Sequence, residues 1–332
     1  MGKVFGKLFT AVEKEELPSS SEDIGVVAAR WKRKQTEDGE SLPRKRKSGN
    51  TPEAALSEGS AKRKAVDDDG PVAKKYRLLD ESDVFKAKYQ QLKKLGQGSF
   101  GCVFAGYRRA DNLPVAIKHI DRKKEFHLSQ EDDGYTIPME VDVLEHLQAN
   151  SEQHSAPVHL LDWYVEEQGL ILVLERPMPA VNLCNYILDK GGHLKETEAK
   201  IIINQLVDAA IDLQENHIFH RDIKPENLLI ETCMKSPRLR LIDFGLSCFV
   251  EDGDTHDVFY GSYVPPEWYI HEKYEAGPST VYQIGVVLFP MFHGVSYSEN
   301  LSFEKLKNGR RISQHPDQWF PLEQLRNHPW LK

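Results

Sequence analysis

Two short stretches carry residue types whose spacing suits one chemistry. His220-Arg221-Asp222-Ile223-Lys224-Pro225-Glu226-Asn227 is followed, after a spacer, by Asp243-Phe244-Gly245. An acid, a cation and a carboxamide thus arrive between Asp222 and Asn227, and a second acid follows at Asp243. Moving a phosphoryl group uses those parts: a carboxylate to orient the attacking hydroxyl, a cation for the developing charge, and an Asn and an Asp to hold magnesium. Asp222 and Lys224 fit the catalytic places, Asn227 and Asp243 the metal places. An H-R-D triplet alone would be an ordinary polar loop, but the longer constellation argues against that.

The elements around these residues must position them. Leu228-Leu229-Ile230 and Leu239-Arg240-Leu241-Ile242 read as two short apolar strands joined by a turn at Lys235-Ser236-Pro237. Upstream, Gly96-Gln97-Gly98-Ser99-Phe100-Gly101-Cys102-Val103 holds a G-x-G-x-x-G pattern that dinucleotide-binding folds also use between strand and helix. Here Val103-Phe104-Ala105-Gly106-Tyr107 reads as a second strand, so the glycines are expected to cap a hairpin over phosphates. The next strand, Val115-Ala116-Ile117-Lys118, ends on a lysine expected to stand in an open cleft against the α- and β-phosphates. Such a lysine needs an acid on a helix. Glu140 is a candidate, in a segment with an apolar stripe of Val141, Leu144 and Leu147, though Asp142 and Glu145 share it. Val158 to Trp163 and Gly169 to Glu175 read as a strand pair, and Glu175-Arg176-Pro177 as a linker between lobes. Pro177 has no N–H to offer a bound adenine. Helices are expected at Leu183 to Leu188 and Glu196 to Asn216.

The 332 residues carry 40% hydrophobic content and a net charge of −8, enough for one large domain or two lobes plus a tail. The acidic balance argues against a protein that coats nucleic acid. Cys102, Cys184, Cys233 and Cys248 form no metal-ligand rhythm, which suits a reduced cytoplasmic or nuclear setting. No apolar run reaches the length of a membrane span, so no membrane partner is expected. Met1-Gly2-Lys3 opens like an acylation signal, but Gly6 stands where Ser or Thr is needed. Residues 1–85 hold 17 Lys/Arg against 16 Asp/Glu with no sustained apolar period, and read as a disordered tail. Its clusters Arg44-Lys45-Arg46-Lys47 and Lys62-Arg63-Lys64 are candidate sites for a nuclear import receptor, or simply solvated charge. Matching acids and the lack of interleaved aromatics argue against nucleic acid as the tail's partner.

Taken together, the chain resembles a eukaryotic protein kinase, and within that group the PIM serine/threonine kinases. The narrower likeness rests on Asp111 to His119, Ile137-Pro138-Met139-Glu140-Val141, Leu160-Leu161-Asp162-Trp163, Leu174-Glu175-Arg176-Pro177, Pro265-Pro266-Glu267-Trp268 and Asn327-His328-Pro329-Trp330. The resemblance implies an α+β, bilobal fold over 86–332, with a β-rich N-lobe at about 86–176 and a helical C-lobe at about 177–332. It implies transfer of the γ-phosphate of ATP, with Mg2+, to Ser or Thr of protein substrates. By the same resemblance the nucleotide site comprises Leu95, Gly96, Gln97, Gly98, Ser99, Phe100, Gly101, Val103, Ala116, Lys118, Glu140 and Glu175. Leu174 becomes the gatekeeper, His220 and Phe244 stack with Leu144, and Glu226 and Ser262 face the substrate.

Three departures qualify these expectations. Asn182 and Asn185 stand where basic-selective members place acids, leaving Glu226 and a weakened preference for basic substrates. The loop between Gly261-Ser262 and Pro265-Pro266-Glu267 is two residues short. The stretch between Gly294 and His328 is shorter still against the family's pattern, and omits the arginine that would pair with Glu267. That gap is expected to uncover Ile284, Val287 and Leu288, unless Trp319, Phe320, Leu322 and Leu325 fill it. Thr280 occupies the place of an acid beneath the catalytic loop in most kinases. The alternative to an active enzyme is a nucleotide-binding scaffold with impaired catalysis.

Overall fold

In a computed structural model of the chain, the structure describes residues 81–98, 101–121, 128–130, 136–150, 155–166, 169–261, 263–295 and 321–332. Expectations that fall on residues 1–80, both basic clusters included, and on Ser99, Phe100, Ser262, Trp319 and Phe320 lie outside these residues.

Chain order builds a small sheet first. β1 (Tyr89–Gln97), β2 (Gly101–Arg108), β3 (Pro114–Asp121), β6 (Leu160–Glu166) and β7 (Gly169–Glu175) form one antiparallel sheet in the order β1-β2-β3-β7-β6. The glycine segment is a hairpin, as its flanking strands suggested: Gln97 faces Cys102, and Gly98 N–H donates to the Gly101 carbonyl at 2.9 Å. Glycine at 101 is a packing requirement, since a Cβ there would stand 1.8 Å from the His119 carbonyl oxygen of β3. β7, beside the central β3, alternates little in polarity because both its faces are covered, and is buried from Gly169 to Leu174. One face is closed by α1 (Glu81–Lys88), whose Phe85 lies edge-on to Tyr164 at 5.5 Å. The other receives α2 (Met139–Asn150), preceded by the short pair β4 (Leu128–Gln130) and β5 (Thr136–Pro138), and buries Val141, Val143, Leu144 and Leu147.

After the 175–179 linker the chain becomes helical. β8 (Ala180–Asn182) leads into α3 (Leu183–Asp189), and α4 (Glu196–Glu215) buries Ile202, Leu206, Ala209, Ala210 and Leu213 at helical spacing. β9 (Ile218–Phe219) precedes the catalytic loop. The expected strand pair is present as β10 (Leu228–Glu231) and β11 (Arg238–Leu241). β12 (Cys248–Phe249), β13 (Thr255–His256), α5 (Pro266–His271), β14 (Tyr274–Glu275), α6 (Ala276–His293) and α7 (Leu322–Arg326) complete the described fold. The architecture is α+β, a β-rich N-lobe on a helical C-lobe. Among the described residues no helix is long and apolar enough to cross a membrane.

Two expectations about the shortened C-lobe part company here. Ile284, Val287 and Leu288 are not uncovered: each is at most 1% exposed, in one apolar cluster with Leu322 and Leu325. Those two leucines are placed as the repacking alternative required. The Glu267 carboxylate, by contrast, is left without a cation among the described residues. It is 4% exposed; Ser279 Oγ donates to Oε1 at 2.8 Å, and Oε2 has no partner. Burial pushes its carboxyl up to about 7 from the ordinary 4.5.

The sign of the resulting pH dependence follows. Between those two values the folded chain keeps a proton that an unfolded chain has released, so stability falls as pH rises through the window. The full span amounts to roughly 3 kcal/mol. Glu267→Gln keeps an acceptor for Ser279 and removes the charge. Thermal scans should show variant and wild type alike near pH 5, with the variant melting higher by roughly 5–10 °C at pH 8. A difference that does not change with pH would contradict the assignment.

Candidate active site

The catalytic loop runs from His220 to Asn227 between β9 and β10 and has no ladder of its own. Arg221 takes the left-handed region, with φ 66°, which few non-glycine residues adopt. Its backbone is held by side chains: Asp222 N–H donates to His220 Nδ1 at 3.3 Å, and Asn227 Nδ2 donates to the Asp222 carbonyl at 2.9 Å. From α6, Gln283 reaches Arg221 O at 2.6 Å and Ile223 N at 3.3 Å. Thr280 does not take part there; its hydroxyl donates to Ala276 O at 2.7 Å within its own helix. Lys224 Nζ stands 2.7 Å from Asp222 Oδ2, and Asn227 Nδ2 donates to the same oxygen at 2.9 Å. Burial lowers the His220 imidazole below its ordinary value, which suits Nδ1 as an acceptor. The ring packs 4.7 Å from Phe244, and Leu144 lies in the same apolar cluster as Phe244.

Lys118 crosses from the sheet to both other parts of the site. Its Nζ lies 2.7 and 2.9 Å from the two Glu140 oxygens and 2.6 Å from Asp243 Oδ1. Of the three acids that the sequence offered on α2, Glu140 meets the lysine, while Glu145 accepts from Trp163 Nε1 at 3.1 Å. Burial opposes the ammonium, but the two carboxylates outweigh it and hold its pKa above the ordinary value. Burial raises the Glu140 carboxyl despite that ammonium. For Asp243 burial also acts upward, and the charge and hydrogen bond of Lys118 reverse it, leaving the carboxyl below its ordinary range. Asp243 itself is left-handed, with φ 65°, which turns its carboxylate back toward β3.

Gln97, Gly98, Asp222, Lys224, Glu226, Asn227, Asp243, Leu246, Tyr260 and Tyr263 line a single cavity of about 330 Å³. Gly98 of the hairpin thus shares a wall with Asp222 and Lys224. Val103 is paired with Lys118, and Ala116 with Leu174. Leu95 is exposed on β1. Asn227 Oδ1 and the Asp243 carboxylate fit a divalent ion, because one amide oxygen and one carboxylate with substrate phosphates suffice for magnesium. No cluster of three His, Cys, Asp or Glu exists among the described residues, so such an ion would be held with the phosphates.

The linker acid Glu175 is tied sideways. Arg240, 3% exposed on β11, sends Nη2 to its Oε2 at 2.6 Å and Nη1 to its Oε1 at 2.9 Å; His159 Nδ1 lies 2.9 Å from Oε2. Burial would raise the Glu175 carboxyl, but Arg240 and His159 bring it down to about 2. The Glu175 side chain is therefore committed to Arg240 and His159. Neither Arg240 nor Gln283 was assigned from the sequence. A lone arginine between Leu239 and Leu241 is a readable signal, since a buried guanidinium must be paired; Gln283 carries none. Near the substrate side, Asn182 caps α3 by accepting from Asn185 N–H at 2.9 Å. Cys184 hydrogen-bonds Glu226, and burial together with that carboxylate raises the thiol to about 12.

Lys118 is therefore not the open-cleft side chain expected: it is 5% exposed. Lys118→Met would strand Glu140 and Asp243, and removing one member of a buried pair costs about 3–5 kcal/mol. The melting temperature of Lys118→Met should fall and recover in part when Glu140→Gln is added. An unchanged melting temperature in the single variant would show that the carboxylates are not strained by its loss.

Comparison with known proteins agrees with this geometry. A family model described as protein kinase domain matches residues 89–328. Serine/threonine-protein kinase pim-2 of Danio rerio is 31% identical over 284 residues, which is 76% of this chain and 90% of that protein. Serine/threonine-protein kinase prk-2 of Caenorhabditis elegans is 30% identical over 275 residues, 75% of this chain and 59% of that protein. A probable serine/threonine-protein kinase, MARK-C of Dictyostelium discoideum, is 30% identical over 285 residues, 78% of this chain and 34% of that protein. The chain belongs to the eukaryotic protein kinase family and is an ATP-dependent protein kinase, with serine/threonine kinases as its relatives.

Proposed function

We propose that this kinase transfers the γ-phosphate of ATP to Ser and Thr hydroxyls of proteins, as a PIM-like enzyme with a weakened preference for basic substrates. The single observation that carries the reading is the convergence of Asp222, Lys224, Asn227 and Asp243 on one cavity closed by the glycine hairpin. Among the described residues both contacts to the Asp222 carboxylate fall on Oδ2, which leaves Oδ1 for a substrate hydroxyl. Asp222 accepts the hydroxyl proton as that oxygen bonds to the γ-phosphorus and the bond to the β,γ-bridging oxygen breaks toward ADP. Lys224 offsets charge on the moving phosphoryl group, and Lys118 orients the phosphates from the sheet. Asn227 and Asp243 would hold magnesium, which would supply positive charge against the phosphates.

Support for the weakened preference is local. Glu226 is an exposed carboxylate beside Cys184, and Asn182 spends its side-chain oxygen as a helix cap. A substrate guanidinium therefore meets one charge where two would hold it bidentately. Asn182→Asp preserves the cap, because Asp caps as well as Asn.

The test is a transfer assay on the full chain with Arg-containing and Arg-free peptides. Asp222→Asn should lower kcat by roughly 10²–10⁴-fold while nucleotide binding persists. Asn182→Asp should raise kcat/KM several-fold for the basic peptide only, in proportion to roughly 1 kcal/mol for a charge-assisted contact. Magnesium-dependent nucleotide binding without transfer by the wild type would instead support the scaffold reading, which the unpaired Glu267 favours.

A further inference from the structure

Gln283 lies on α6 directly beneath the catalytic loop and is 2% exposed. Its Nε2 donates to the Arg221 carbonyl at 2.6 Å, and its Oε1 accepts from Ile223 N–H at 3.3 Å. The two contacts fix the orientation of the amide, since a carbonyl can only accept and an N–H can only donate. They bracket Asp222 on its two sides. One of the bracketed residues, Arg221, sits at φ 66°, a conformation that persists only where the surroundings impose it. Arg221 to Ile223 pair with no strand, and the short 3-10 turn that follows covers only Pro225–Asn227, so side chains set the direction in which Asp222 points.

We propose that Gln283 is a positioning residue for phosphoryl transfer: its amide clamps Arg221 and Ile223, and so holds the Asp222 carboxylate where a substrate hydroxyl must meet it. This rests on the reading of Asp222 as the proton acceptor. The clamp needs one donor and one acceptor at a single side-chain end, which an amide supplies and a carboxylate does not. An ionised acid at 283 would accept from Ile223 but set two oxygens against each other at Arg221. Nucleotide anchoring is separate, because Lys118, Glu140 and Asp243 are joined to one another on β3, α2 and the turn after β11. Loss of the clamp should therefore reach turnover without reaching nucleotide affinity.

The experiment compares wild type, Gln283→Met and Gln283→Glu in the full chain. It measures kcat, KM for peptide, the Kd of a fluorescent ATP analogue, melting temperature, and hydrogen exchange at the Ile223 amide. A displaced catalytic group costs roughly ten- to a hundredfold in kcat. Both variants should show that loss, with nucleotide Kd within about twofold of wild type, as expected for an interaction that acts in the transition state. Ile223 exchange should quicken in Gln283→Met and stay slow in Gln283→Glu. The proposal is overturned if either variant keeps its kcat, or if kcat, nucleotide affinity and melting temperature fall together. Absence of transfer by wild type, with exchange quickened in Gln283→Met, would place the failure in the transfer reading and leave the clamp standing. Unchanged exchange in Gln283→Met would remove the clamp itself.

Discussion

One buried positive charge sets the terms for the rest of this molecule. Lys118 Nζ lies between the Glu140 carboxylate on α2 and Asp243 at the end of β11. Either carboxylate alone in that low-dielectric space would be costly, and the lysine alone more so. The three groups are tolerable only together, so β3, α2 and the segment after β11 are constrained to meet at one point. Much of the surrounding structure can be understood as what that meeting requires: the apolar stripe of α2 seats it on the sheet, and the left-handed Asp243 turns a carboxylate inward.

The contrast with Glu267 shows how strictly such charges are judged. Both carboxylates are buried, yet Glu140 has an ammonium at hydrogen-bonding distance and Glu267 has one hydroxyl. No cation reaches Glu267 among the described residues, yet the apolar surfaces nearby are closed with Leu322 and Leu325. Apolar cover is non-directional, and many side chains can supply it. A cation for a carboxylate is directional, and a short chain segment replaces it less readily.

How much was legible in the sequence follows the same division. Residues whose placement depends on local spacing could be read: the glycine hairpin, the H-R-D to Asn227 run, Asp243, and the strands that flank them. Glu140 was chosen among three acids only with the help of the family resemblance, because the helical stripe fixes which face is apolar and leaves the register of the charges against β3 undecided. Arg240 and Gln283 were not found, since their partners are 65 and 62 residues away in the chain and no periodicity links them. Lys118 was read in type and misjudged in environment, as exposure depends on what the folded chain lays over it. For Ile284, Val287 and Leu288 the sequence offered two outcomes, bare surface or cover by later residues such as Leu322 and Leu325, and could not choose between them because packing across that distance has no local signal.

The Arg240 guanidinium carries a mechanical consequence. It fastens the linker acid Glu175 to β11, while the Ala156 and Pro157 carbonyls accept from Arg240 on the strand's near side. The rear edge of the cleft is thereby cross-braced through three chain segments. The front edge ends at Gly96 and Gly98, around which a side chain would meet nothing within 4 Å. The two edges thus differ in what a substitution meets: at Arg240 a change strands the Glu175 carboxylate, whereas at Gly96 or Gly98 an added side chain finds open space.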